Sequence, residues 1–321
     1  MRWVNLIFGG FALLTAISTS VQAQSFPAKS IVFVVPYPAG GGVDLTGRLL
    51  AGKMSQQLAR SIVIENRAGA GGTIGAEYVA KAAADGYTYL IGGTGPLSVA
   101  PALYKNLPYN PIRDFAPVML VVRIPQILVV HASLPVRSLS ELLALIRKHP
   151  GQFNAASGGT GTGQHLSAAL MATMAKVQIT HVPYKGTAPA VSDLLGGHVE
   201  MYFGDPSILP LVKSGRLRAL GVTTKDRYPA LPDVQSIGEV LKGFELISFY
   251  AMSAPAGTPR EIVQRMNAEA NKALVDPETR QKFESNGLLP AGGTPEYLGD
   301  LIRTHSAVSA KVLREANATK D

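Results

Sequence analysis

The sequence predicts an α/β protein of two lobes with a ligand cleft between them. Three observations lead there: two blocks in which β-rich runs alternate with helix-length segments, a long β-rich run broken by Pro125 between the blocks, and glycine clusters where strands should end. Near-continuous apolar strands separated by helices imply a parallel sheet covered on both faces.

The first block reads "IVFVVPY" (Ile31 to Tyr37), "VDLTGRLLAGKMSQQL", "IVIEN" (Ile62 to Asn66), "IGAEYVAKAAA" and "TYLIGG" (Thr88 to Gly93). Next comes "FAPVMLVVRIPQILVVHA" (Phe115 to Ala132). Pro125 cannot donate a ladder bond inside a central strand, so the run splits into a strand leaving one lobe and a strand joining the other. The second block reads "QFNAAS", "HLSAALMATMA", "VQITHVPY", "PAVSDLLGG", "VEMYFG" and "LRALGVT". The return falls in "GFELISFYAMSAP" (Gly243 to Pro255), after a surface connection. Lobe 1 is therefore expected over 24–124 and 246–321, and lobe 2 over 125–245.

Past Pro255 the chain turns helical. Thr258-Pro259-Arg260-Glu261 offers an N-cap, a proline at the first helical position and a capping-box glutamate; Asp276-Pro277 and Thr294-Pro295-Glu296 repeat the device. The last helix carries Leu298, Leu301, Ile302, Val308 and Val312 on the face expected to pack on a lobe.

The first residues and the composition bear on location. Met1-Arg2, an uncharged Val4 to Ser18, and Val21-Gln22-Ala23 ahead of Gln24 form a positive start, a short apolar core and a small-residue cleavage site. That is a secretory signal, expected over 1–23, because the apolar core of about 15 residues falls short of the roughly 20 that a spanning helix needs. Cleavage after Ala23 leaves 298 of 321 residues, enough for two lobes. With no cysteine there is no disulfide, no thiolate metal site and no lipidated cysteine anchor, so a free periplasmic monomer is expected. The formal charge of +8 fits an anionic ligand or solubility. The cluster "KSGRLR" has no interleaved aromatics, and export argues against a nucleic-acid partner.

Glycines gather in "PYPAGGGVDL", "GGTGPLS" and "SGGTGTGQH", each where a strand should end and a helix begin. In open α/β sheets those strand ends line the ligand crevice, and backbone amides at a helix start attract an anion. A phosphate cradle, a catalytic centre and a carboxylate pocket all use such loops. The phosphate-loop and dinucleotide spacings are absent. So are the G-x-S-x-G and H-E-x-x-H patterns, and the six histidines are scattered, so neither a catalytic residue, a metal nor a cofactor is expected.

The segments "VPYPAGGGVDLTGRLLA", "VIENRAGAGGTIGAEYVAKAAADGYT", "NLPYNPIRDFAPV", "ASGGTGTGQHLSA", "HVPYKGTAPAVSDLLGGHVEMYF" and "SAPAGTPREIVQRMNAE" together resemble, in order, the substrate-binding proteins of tripartite tricarboxylate transporters, the Bug family. The resemblance implies a two-lobed periplasmic binding protein with two crossovers (type II) that closes on one small carboxylate and delivers it to transporter membrane subunits. It places ligand contacts at Tyr37, Ala39, Gly40, Gly41, Gly42 and Asp44, at Ser157, Gly158, Gly159, Thr160, Thr162 and His165, and at Tyr184, Gly186 and Asp205; Thr94 and Gly95 join them from the glycine loop after the third strand. Ser157 to His165 is then read as the second lobe's carboxylate clamp, its hydroxyls adding to backbone amides. Members that bind amino acids set the acid equivalent to Asp205 against an ammonium. A periplasmic enzyme acting on a small carboxylate, and a binding protein feeding a sensor, are the alternative functions.

Overall fold

The computed structural model describes residues 26–315, so the expected signal segment and its cleavage site lie outside the described residues. In chain order the elements are β1 (Ile31–Val35), α1 (Gly42–Leu58), β2 (Ile62–Asn66), α2 (Thr73–Ala80), β3 (Thr88–Gly93), α3 (Ala100–Leu103) and β4 (Phe115–Ile124). The second sheet follows with β5 (Ile127–His131), α4 (Leu139–Lys148), β6 (Asn154–Ser157), α5 (Gly163–Ala175), β7 (Thr180–Pro183), α6 (Thr187–Leu195), β8 (Met201–Gly204), α7 (Leu209–Lys213) and β9 (Leu217–Val222). The chain closes with α8 (Ile237–Val240), β10 (Ser248–Pro255), α9 (Arg260–Val275), α10 (Pro277–Ser285), β11 (Leu289–Pro290) and α11 (Pro295–Glu315).

Two sheets result, one ordered β11-β4-β10-β3-β1-β2 and the other β7-β6-β8-β5-β9. Neither is wholly parallel, which corrects the sequence expectation. β1 pairs in parallel with β2 and β3, but β10 runs antiparallel to β3 and β4. In the other sheet β6, β7 and β8 are parallel while β5 opposes β8 and β9. The cause is the double crossing: β10 and β5 each arrive from the other lobe, so each enters its sheet at the cleft side and runs against its neighbours.

Alternate side chains feed the two faces of each sheet, as strand geometry requires. Phe33 and Val35 join the cluster under α1, α9 and α10, whereas Val34 joins the opposite one with Ala76 and Leu298. Leu128 and Val130 pack towards α4 and α5, and Ile127 and Val129 towards α6 and α7.

The helix-start signals have mixed outcomes. Asp276 caps α10 by accepting from Thr279 N, and Thr294 Oγ1 accepts from Tyr297 N. Thr258 does not cap α9; its hydroxyl donates to the Pro255 carbonyl and Pro259 takes the cap position. Along α11, Leu298, Ile302 and Val312 are buried but Val308 is 41% exposed. It lies six residues after Ile302, about 240° around a helix of 3.6 residues per turn. The end of α11 sets Val312 and Leu313 against Leu103 of α3 and Leu166 of α5, thereby touching both lobes.

The two crossings are stitched together. Gln126 N donates to Thr223 Oγ1 at 3.0 Å, Thr223 N to the Gln126 carbonyl at 2.9 Å, and Leu246 N to the Thr223 carbonyl at 3.0 Å.

Candidate ligand-binding cleft

The carboxyl ends of β1, β3, β6 and β8 face one cavity of about 620 Å³ between the sheets. Helices follow these strands at once, so their amino termini open into the space. α1 begins at N-cap Gly41 with no side-chain cap, and Gly41, Gly42 and Val43 line the cavity. α6 begins at N-cap Gly186, φ +118°, also without a side-chain cap, and Gly186, Thr187 and Ala188 line the other wall. The first N–H groups of a helix have no intrahelical partner, so both walls present unsatisfied amide donors and the positive end of a helix dipole.

Asp44 supports the first wall from behind and does not line the cavity. Its carboxylate accepts from Gly40 N at 2.9 Å, Arg48 Nε at 2.9 Å and Asn66 Nδ2 at 2.9 Å. Burial alone would raise its pKa, but the Arg48, Gly40 and Asn66 donors together hold it below the ordinary aspartate value. Although Asp44 lies inside the loop, its charge is already answered by these donors, so it is a support of the first wall and not the direct ligand contact that the sequence led us to expect. Asn66 Nδ2 also donates to the Tyr37 carbonyl at 3.0 Å, fixing the loop to β2.

Ser157 to His165 behaves differently from the expected clamp. Ser157 Oγ and Thr162 Oγ1 both donate to the Gly159 carbonyl, at 3.0 and 2.8 Å. Gly158 N donates to Gln164 Oε1 at 2.6 Å, Gly159 N to Ser157 Oγ at 3.1 Å, and Gly161 N to His165 Nδ1 at 3.3 Å. Thr162 caps α5 by accepting from His165 N. The loop thus satisfies most of its own donors, as buried polar groups must. Of this stretch Gly158, Thr162, Gly163 and Gln164 line the cavity; Ser157, Gly159, Thr160 and His165 do not. His165 stacks on His181 with ring centroids 3.9 Å apart, and His181 Nε2 lies 2.6 Å from Ser157 Oγ. That Ser–His contact sits behind the loop, with Ser157 fully buried, and is no accessible nucleophile.

The remaining expected residues divide similarly. Ala39, Thr94, Gly95 and Tyr37 line the cavity. Tyr37 donates to the Gly71 carbonyl at 3.0 Å, and burial pushes its hydroxyl well above the usual tyrosine pKa. Gly95 is required by proximity, since a Cβ there would lie 2.6 Å from Tyr37 Oη and 3.1 Å from the Gly161 carbonyl. Tyr184 is turned away: it donates to Asp193 Oδ2 at 2.6 Å, and burial followed by that bond pushes its pKa up to about 12.

Asp205, at the end of β8, caps the short turn Pro206–Ile208 by accepting from Ser207 N at 3.0 Å, and it also lines the cavity. Its second oxygen faces Gly42 and Tyr250: a Cβ on Gly42 would stand 2.8 Å from Asp205 Oδ2 and 3.0 Å from Tyr250 Oη. Burial, then the Asp205 charge, drives the Tyr250 hydroxyl far above its ordinary pKa. Cap and cavity roles coexist in one side chain.

Sequence reasoning missed Gln126, Gln164, Ser248 and Tyr250 as lining residues. Gln126 stands next to the expected Pro125 break and Ser248 begins the return strand, so the crossings were the available signal. With its amide oxygen accepting from Gln164 N (3.2 Å) and Ser248 Oγ (3.1 Å), Gln126 bridges the lobes at the floor of the cleft. Among the described residues no cluster of three or more His, Cys, Asp or Glu could hold a metal ion, and no helix is long and apolar enough to cross a membrane.

Residues 46–318 match the family model of the tripartite tricarboxylate transporter family receptor. The chain belongs to that family. It is 43% identical to a UPF0065 protein in the tcbD-tcbE intergenic region of a Pseudomonas species, over 96% of this chain and 93% of that one. Protein BugT of Bordetella pertussis is 35% identical, with 97% of each chain covered. Among solved structures, an R. palustris protein with adipate is 37% identical with a TM-score of 0.87, covering 91% of this chain and 98% of its own. MatC from Rhodopseudomonas palustris, with bound malate, is 33% identical with a TM-score of 0.85, covering 90% of this chain and 100% of its own. These likenesses extend across both sheets, and the type II two-lobed architecture is that of the family's periplasmic binding proteins.

Proposed function

We propose that the protein is a periplasmic receptor that captures one small carboxylate between its lobes, without transforming it, and presents it to the membrane subunits of a tripartite transporter. The observation that carries this reading is the meeting of two helix starts without side-chain caps, α1 from one lobe and α6 from the other, in one cavity. Each dipole contributes about 0.3 to 1 kcal/mol to an anion, and up to about 2 when partly buried. Charge-assisted bonds from the free amides add roughly 1.5 to 3 kcal/mol each. The solved relatives' adipate and malate support a carboxylate ligand.

On this reading the lobes run over 24–124 with 246–321 and over 125–245, the signal is cleaved after Ala23, and the receptor works as a monomer. The ligand contacts are the cavity-lining members of the expected set apart from Thr162, whose hydroxyl is taken up by the Gly159 carbonyl and His165 N; Thr162, Asp44, Ser157, Gly159, Thr160, His165 and Tyr184 are their supports.

A ligand of the folded state raises stability as RT ln(1 + [L]/Kd), so a thermal-shift panel of small carboxylates tests the reading directly. At least one carboxylate should raise the melting temperature in a concentration-dependent way and be recovered chemically unchanged. Steady conversion of that ligand by pure protein, followed by mass spectrometry, would replace the receptor with the enzyme.

A further inference from the structure

The cavity is larger than the dicarboxylates held by the relatives require. Even at the roughly 30 Å³ that liquid water takes per oxygen, a dicarboxylate of ten non-hydrogen atoms fills about 300 Å³. That is less than half of the available 620 Å³.

The surplus space has its own chemistry. Beyond the start of α6, the lining passes to Pro189, Val191, Leu195, Ile208 and Leu211, with Pro38 approaching from the first lobe. A Cβ on Gly186 would lie 3.4 Å from Pro38 Cγ, so the two walls are in contact there. Val191, Leu195 and Leu211 are only half-buried and pack on the same apolar cluster as Ile208, with Ser192 and Ser207 interspersed along the lining. From Ala188 to Leu195 this wall runs about 10 Å at 1.5 Å per residue, the span of an extended chain of about eight carbons.

Charge is distributed along the same axis. The lining cation is Lys185, before the start of α6, on the side where the helix dipole also favours an anion; the lining acid, Asp205, stands beside Gly42 at the start of α1, with one oxygen engaged by Ser207 N. At the Leu195 end the dipole is negative and no cation lines the cavity; the lining polar side chains on that stretch are the Ser192 and Ser207 hydroxyls, so a second carboxylate there meets no opposite charge and gains less than the apolar end of a chain laid on Val191, Leu195 and Leu211.

We propose that the ligand is a monocarboxylate with one elongated apolar body, its carboxylate at the starts of α1 and α6 and its body laid along α6 against Ile208 and Leu211. This rests on the carboxylate-receptor reading and narrows it: the receptor discriminates against dicarboxylates of equal length.

Titration calorimetry on the full exported chain with butanoate, hexanoate, octanoate and octanedioate tests the inference. Octanoate should bind at least tenfold tighter than octanedioate, which has the same carbon count and differs in its far end. From butanoate to octanoate each added methylene should tighten binding about fourfold, the equivalent of its burial free energy. Leu211→Lys sets a cation beside the apolar wall and should shift the octanoate-to-octanedioate preference at least tenfold towards the diacid. If that variant does not fold, Val191→Lys on the half-buried flank of α6 carries the same charge. Octanedioate binding as tightly as octanoate to the unaltered protein overturns the inference and leaves the carboxylate receptor standing. Failure of all four acids, and of the wider carboxylate panel, to bind sinks both.

Discussion

The two glycine-rich loops of this protein look alike in sequence and do different work. Pro36 to Asp44 ends in a helix start with no side-chain cap, and its carboxylate is consumed behind the loop by Gly40, Arg48 and Asn66. Ser157 to His165 carries more hydroxyls and looks the better clamp, yet Ser157, Thr162, Gln164 and His165 take up its donors internally. Glycine and threonine content says that a backbone is exposed to something. Only the partner of each N–H says whether that something is a ligand or the loop itself.

The largest test of this contrast is Gln164→Leu. It strips the acceptor from Gly158 N, a loss of about 1 to 3 kcal/mol, and one of two partners from Tyr202 Oη, which keeps Thr187 Oγ1. Ligand-free stability should fall by about 1 to 3 kcal/mol in denaturant unfolding; an unchanged midpoint would show that the second loop is not a self-supporting scaffold.

Gly71→Ala comes next, because the lobes meet there. Its Cβ would stand 2.2 Å from the Thr160 carbonyl, and φ is +66°. Carboxylate affinity should drop at least tenfold, about 1.4 kcal/mol, on top of a backbone strain of about 1 to 2 kcal/mol. Calorimetry showing parental affinity would mean that this contact is irrelevant to the bound state.

Thr162→Ala removes the cap of α5 and should lower ligand-free stability by about 1 kcal/mol while changing affinity by less than threefold. A loss of affinity well beyond the loss of stability would return Thr162 to the ligand. Asp205→Asn keeps the cap, since asparagine caps about as well as aspartate, but removes a negative charge from the cavity. Affinity for a plain carboxylate should hold or improve, and a fall by roughly 1.5 to 3 kcal/mol would instead reveal an ammonium on the ligand.

The smallest effect is a pH dependence seated in the first loop. Asp44 is depressed in the folded protein, so its contribution is complete above its unfolded pKa of about 3.9 and is lost as pH falls through the lower folded value. The melting temperature should decline below about pH 4, and Asp44→Asn should flatten that decline. A parallel decline in the variant would assign the acid sensitivity elsewhere.

The legibility of the molecule follows the same division. Pro125 announced the crossing between β4 and β5, and apolar runs such as Ile31 to Val35 announced strands, because a proline or a run of branched residues carries its meaning locally. The direction of β10 and β5 was invisible: strand sense depends on which side of a sheet the chain arrives from, and no side chain encodes that. Within the cleft, the glycine loops were legible as loops. Gln126, Ser248 and Tyr250 were not, because Gln126 lies in the link between β4 and β5, Ser248 and Tyr250 lie on β10, and the role of each depends on the partner lobe. Asp44 reads as a pocket acid in the sequence because two of its three donors, Arg48 one turn further along α1 and Asn66 on β2, lie outside the loop.

The placement of β10 also governs the order in which the molecule can be assembled. Every strand of the second sheet among the described residues lies between Ile127 and Val222, so that sheet can be complete as soon as this stretch is available. The first sheet cannot be: β10 sits between β3 and β4, and the neighbours of β4 among the described residues, β10 and β11, both follow it in the chain. Until Ser248–Pro255 arrives, β3 and β4 are bare edges, the kind of surface through which chains stick to one another. Substitutions at Phe249 or Met252 that slow the docking of this strand should therefore lower the yield of native protein through aggregation, leaving the ligand affinity of the molecules that do fold unchanged.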